Sequence, residues 1–140
     1  MVTLEQANAI IANAMAKAEA DHVPPVAIVV LDEAGDLIAA QRQDGASMFR
    51  FDIASAKAWG VVAMGISSRA LAKRAADNPN FFAALASTAR GRLLPQPGAT
   101  PIRDANGRLL GAVGASGGSG DQDEACCAVG VLAIGLVSSD

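Results

Sequence analysis

The chain has 140 residues, with 14 acidic and 11 basic side chains and a formal net charge of -3. No cluster of Lys or Arg occurs, and 4 Phe, 1 Trp and 0 Tyr cannot form a stacking platform, which excludes nucleic acid as a partner. Hydrophobic residues make up 51% and charged residues 18%, more apolar material than one small core consumes, so a single domain over residues 1–140 that assembles as a homo-oligomer is expected.

Met1-Val-Thr-Leu-Glu-Gln carries neither a basic stretch nor a long apolar leader, and the longest apolar run, Ala125 to Val137, is too short to cross a bilayer. A cytoplasmic protein with no membrane partner is the expectation. Thr3-Leu-Glu-Gln6 has the form of a capping box, and apolar residues from Leu4 to Ala18 recur at helical spacing, which predicts a helix to about Asp21 before Pro24-Pro25. Val26 to Leu31, the turn Asp32 to Gly35, and Asp36 to Gln41 read as a β-hairpin. Phe51 to Met64 reads as a buried helix. Ser67-Ser68 caps another to about Ala76, Asn78-Pro79 breaks it, and Phe81 to Ala89 forms a short further helix.

Leu93 to Pro101 is punctuated by prolines and is expected to lie outside any sheet. It leads into a second hairpin, Ile102-Arg103 and Arg108 to Ala115, whose turn contains Asn106-Gly107. The last helix is predicted from Asp121 to about Val137, with Gly130 and Gly135 marking tight packing. The order α-β-β-α-α-(α)-β-β-α defines an α+β fold with a four- to five-stranded antiparallel sheet packed against helices. No convincing internal repeat is visible.

Gly111 to Ala125 reads as strand, glycine loop and acid-opened helix, a junction able to build a ligand pocket. Asp121 or Asp123 is expected to cap the helix. Gly114-Ala-Ser116-Gly117-Gly118 matches the G-x-S-x-G string without the strand-to-helix elbow and oxyanion partner of a hydrolase. Cys126 and Cys127 are adjacent, a spacing that suits neither a metal site nor a loop-closing disulfide, and they read as small core residues.

Leu31-Asp32-Glu-Ala-Gly35, Arg42-Gln-Asp44-Gly45-Ala46, Ala54-Ser-Ala-Lys57-Ala58, Gly98-Ala99-Thr100-Pro101-Ile102 and Gly111-Ala-Val-Gly114-Ala-Ser116-Gly117 together resemble the GlcG/HbpS family over essentially the whole chain. Ala99 departs from the family's pattern, which has a second glycine there. The resemblance implies a profilin-like fold, assembly into dimers or larger oligomers, and a small ligand that in some members is haem. A related domain is fused to a corrinoid adenosyltransferase, whose chemistry belongs to the fused partner.

His22 is the sole imidazole, so it is the one histidine able to ligate haem iron; its alternative is a solvent-facing residue at a helix C-terminus. Arg42, Asp44 and Lys57 can converge at one sheet edge, where Arg42 would grip a carboxylate and Lys57 or Asp44 would move a proton, or the three can form a structural ion pair. Asp123 and Glu124 stand as further acid–base groups, with Ser116 and Gly117 as ligand-binding positions. These residues support either a protein binding haem or another planar ligand near a subunit interface, or a small enzyme acting on a carboxylated or carbonyl metabolite. A scaffold without a small ligand is the third possibility.

Overall fold

The same turn chemistry builds both hairpins of the sheet. In the computed structural model, which describes all 140 residues, β1 (Ala27–Asp32) turns into β2 (Leu37–Arg42), and β3 (Ala99–Arg103) turns into β4 (Leu109–Ser116). In the first turn, Asp32 Oδ1 accepts the N–H groups of Ala34 and Asp36 at 2.9 and 3.0 Å, and Gly35 takes φ 85°. In the second, Asp104 Oδ1 accepts those of Asn106 and Arg108 at 2.9 and 3.0 Å, and Gly107 takes φ 81°. An aspartate that ties down the loop and a glycine three residues later that accepts a left-handed backbone therefore recur. The strand order β2-β1-β4-β3 places the hairpins in equivalent positions on either side of the antiparallel β1–β4 pairing. This repeat is carried by turn geometry, with little trace in the sequence beyond D-x-x-G.

Strand alternation divides the core into two faces. Ile28 and Val30 of β1, with Val113 and Ala115 of β4, pack with Ile10, Ile11 and Ala14 of α1 (Leu4–Ala20) and Cys126, Cys127 and Val131 of α5 (Gly120–Ala133). Val29, Leu31 and Ala112 pack on the other side against Ala54, Ala58 and Val61 of α2 (Phe49–Met64). Being covered on both sides, β1 reads as one apolar run rather than an alternating one. Leu71 of α3 (Ser68–Asp77) and Phe82 of α4 (Pro79–Thr88) form a smaller cluster with Ala89 and Leu93. Gly130 lets α5 settle on α1: a Cβ there would fall 2.5 Å from the Ile10 carbonyl oxygen.

Three local expectations change. The last helix ends at Ala133, four residues before Val137, because Gly135 takes φ 80° and the amides of Ile134 and Leu136 turn back to the Val131 carbonyl. Val137 then pairs with Arg103 through hydrogen bonds of 2.8 and 2.9 Å, extending the sheet edge beside β3. Pro101 lies within β3, opposite Ala112, which is allowed because β3 is an edge strand with one free side. The cap of α5 is Ser119, whose hydroxyl accepts the Gln122 N–H at 3.2 Å while Gln122 returns the bond to the Ser119 N–H at 2.9 Å, so neither Asp121 nor Asp123 serves as cap.

Candidate functional site

Lys57 projects from α2 toward the end of β4 and the start of α5, where only 6% of the residue remains exposed. Its ammonium donates to the Ala115 carbonyl at 3.1 Å and to Asp123 Oδ2 at 3.3 Å. Asp123 is 1% exposed, and its other oxygen accepts the Gly118 N–H at 2.9 Å. Withdrawing both charges from water is costly, and what offsets the cost is their pairing, these two backbone bonds and the positive end of α5 under the carboxylate. The pair forms the inner wall of a polar recess of about 390 Å³, which Ser116 and Arg50 also line.

Arg50 is half-buried at the mouth, and one of its nitrogens donates to Ser116 Oγ at 3.3 Å. It makes no ion pair, so its fork of donors is directed at no carboxylate of the chain. Arg50 was not among the residues expected from sequence. It lies seven positions before Lys57, two helical turns along one face of α2, and that spacing was the available signal.

The loop before β3 passes directly over Lys57. Gly98 takes φ 134° there, and a Cβ on it would fall 2.5 Å from the ammonium nitrogen, so the position demands glycine. Ala99 needs no such freedom: it pairs with Gly114 at the start of β3 and is wholly buried against α2, which accounts for the tolerated departure from a second glycine. Gly117 is explained by packing as well, since a Cβ on it would meet the Val26 side chain at 2.8 Å.

Of the residues expected to act together, Lys57, Asp123 and Ser116 meet in the recess. Glu124 turns outward, where Arg69 bridges it at 3.0 Å and also contacts Asp121. Arg42 and Asp44 do not join Lys57 at one sheet edge. They line a separate hollow with Glu19 and Gln43, and the Arg42 guanidinium donates to the Ala46 carbonyl. The physical reason is register: Arg42 and Ser116 both face Ala27 from opposite sides, which puts Arg42 two strands away from the recess. His22 is exposed at the end of α1 with φ 54° and lines neither the recess nor the larger groove beside Trp59.

No three His, Cys, Asp or Glu side chains lie close enough to hold a metal ion. Cys127 is fully buried near the Gly98 carbonyl, and burial, followed by its charged neighbours, pushes its thiol well above the ordinary value of 9.0. It is therefore a neutral core group rather than a thiolate ligand or nucleophile.

A family model described as haem degrading protein HbpS-like matches residues 2–132. The chain belongs to the HbpS-like family. Among solved structures, an HbpS double mutant from Streptomyces reticuli is 31% identical with a TM-score of 0.82, covering 95% of this chain and 86% of that one. Protein ORFY from Klebsiella pneumoniae is 27% identical with a TM-score of 0.84, covering 93% and 88%. The PduOC–haem complex, at 24% identity and a TM-score of 0.86 over 97% and 96% of the two chains, shares the fold. No curated protein matches the sequence. No helix is long and apolar enough to cross a membrane.

Proposed function

We propose that this HbpS-like chain binds a small ligand through a carboxylate group, with the recess beside Lys57 and Asp123 as its site. The observation that carries this reading is Arg50, a half-buried guanidinium at the mouth with a hydroxyl partner but no carboxylate. Such a fork matches a carboxylate bidentately. Asp121 on the rim would repel an anion, but Arg69 already pairs with it.

Haem is the ligand that the family description names, and it carries two propionates on a planar macrocycle. The recess suits a propionate at Arg50, its one cation without a carboxylate partner, since Lys57 is paired with Asp123. It does not suit the iron, because no His, Met or Cys lines the recess, and His22 lies outside it. Haem would therefore be held by its carboxylates, with no axial bond supplied from this wall. A second reading rests on the burial of the Lys57–Asp123 pair within the same recess. With Arg50 anchoring a carboxylated metabolite, this pair would exchange a proton with the ligand's adjacent carbon or oxygen.

Self-association is part of the same proposal. Met48 and Phe49, just before Arg50 at the start of α2, are 82% and 62% exposed. A second copy covering them would bring a subunit interface to the mouth of the recess.

Titration calorimetry with succinate, and separately with haemin, tests the site in the wild type and in Arg50→Met. Saturable binding of both is expected, weakened in the variant by about 1.5–3 kcal/mol, the usual worth of a hydrogen bond to a charged group. Haemin dimethyl ester, which lacks free carboxylates, should not bind. Undiminished affinity in Arg50→Met, or a Soret shift abolished by His22→Ala, would overturn the proposal.

A further inference from the structure

A second concavity lies on the far side of α2 from the polar recess, and its chemistry differs. It is a groove of about 470 Å³ between the first hairpin and α2, walled by Leu31, Leu37, Phe51 and Trp59. Asp52, Ser55 and Trp59 also line it, and they stand at positions i, i+3 and i+7 of α2, so they mark one helix face running roughly 10 Å along the axis.

The cation at one end of these apolar walls points to an occupant, whereas the Ser55 hydroxyl, withdrawn from solvent, is not presented to the groove. At the Trp59 end, the Arg92 guanidinium stacks over the indole, 4.3 Å from the ring centroid. Its Nε donates to the Ala89 carbonyl at 2.8 Å, and the guanidinium makes no ion pair, so its terminal nitrogens are free for an anion. Arg90 (φ 58°) and Gly91 (φ 75°) end α4 in left-handed conformations, the Gly91 N–H returning to the Ala86 carbonyl at 2.9 Å, and this helix stop carries the chain to Arg92.

We propose that this groove is a second small-molecule site, for a one- or two-ring aromatic acid. The ring system lies along α2 between Leu37, Phe51 and the indole, and the ligand carboxylate meets Arg92. Asp52, at the opposite end and without an ion-pair partner, sets this direction by repelling the acid group. The ligand class follows from the length of the groove, its apolar walls and the single unpaired cation at one end.

Trp59 is the only tryptophan, so its indole N–H gives one NMR resonance that reports on this groove and not on the recess beside Lys57. The probe is 2-naphthoate, titrated against the wild type, Arg92→Met and Leu37→Asp. Both substituted side chains are exposed, so the core is untouched. A saturable shift of the Trp59 resonance is expected, with at least tenfold weaker binding in each variant, and weaker binding of neutral 2-naphthalenemethanol to the wild type. Absence of a saturable shift, or an Arg92→Met affinity equal to the wild type's, overturns the proposal.

Discussion

The Lys57–Asp123 pair shows how an isolated residue acquires meaning from its surroundings. Each is held where water is almost excluded, yet their supports differ. Asp123 keeps the Gly118 N–H and the positive end of α5 when Lys57 is removed, whereas Lys57 without the carboxylate keeps only the Ala115 carbonyl. Asp123→Asn should therefore cost about 3–5 kcal/mol of folding stability, and Lys57→Met less. Urea unfolding of both variants checks the order, and equal or inverted losses would contradict the asymmetry. Cys127 gives a test of pH dependence. Its folded value is raised by burial, so the folded chain holds the proton more tightly than the unfolded one. Stability should be full below pH 9.0 and fall above it as the unfolded thiol ionises, with Cys127→Ala flattening that fall. Ser116 and Asp123 were singled out by the glycine turn and Lys57 by its helix motif, and the structure brings the three together although Lys57 was expected beside Arg42. Arg42 and Asp44 were misjudged because departure from a strand does not disclose which neighbour the side chain faces.

The elements were legible wherever local chemistry closes on itself. Thr3 with Gln6 gives α1 its capping box, and aspartate with glycine gives each hairpin its turn. Ser119 does the same for α5, so Ser119→Ala should destabilise the chain by about 1 kcal/mol in thermal unfolding. Asp121→Ala should cost less, because its partner Arg69 lies at the surface; a larger loss there would contradict the assignment of the cap. Elements that depend on distant partners were harder to read. The apolar run past Ala133 looks helical, yet it leaves the helix because Arg103 offers backbone bonds to Val137. Pro101 was expected outside any sheet, and it lies in β3 because that strand is at the edge, a placement the sequence does not disclose. The Gly98 loop joins element to site: Gly98→Ala should displace Lys57 and lower both stability and ligand affinity, whereas Ala99→Gly should leave affinity unchanged.

At the scale of the molecule, two hairpins sharing a central β1–β4 pairing hold α2 on one face and the α1–α5 pair on the other. This arrangement gives α2 two concave sides, the polar recess beside Lys57 and the apolar groove beside Trp59. The overall composition anticipated surplus apolar surface, and Met48, Phe49 and Leu132 display it, each more than half exposed. Light scattering should accordingly give a mass above the 14.1 kDa of one chain, and Phe49→Asp with Met48→Asp should lower it; a wild-type mass of one chain would contradict self-association. Arg50 is proposed to receive a ligand carboxylate at the mouth of the recess, and a crystal structure of the protein soaked in succinate is the decisive measurement. A carboxylate about 2.7–3.2 Å from the Arg50 guanidinium, beside Lys57, is expected; a recess left empty while succinate binds elsewhere would rule the proposal out.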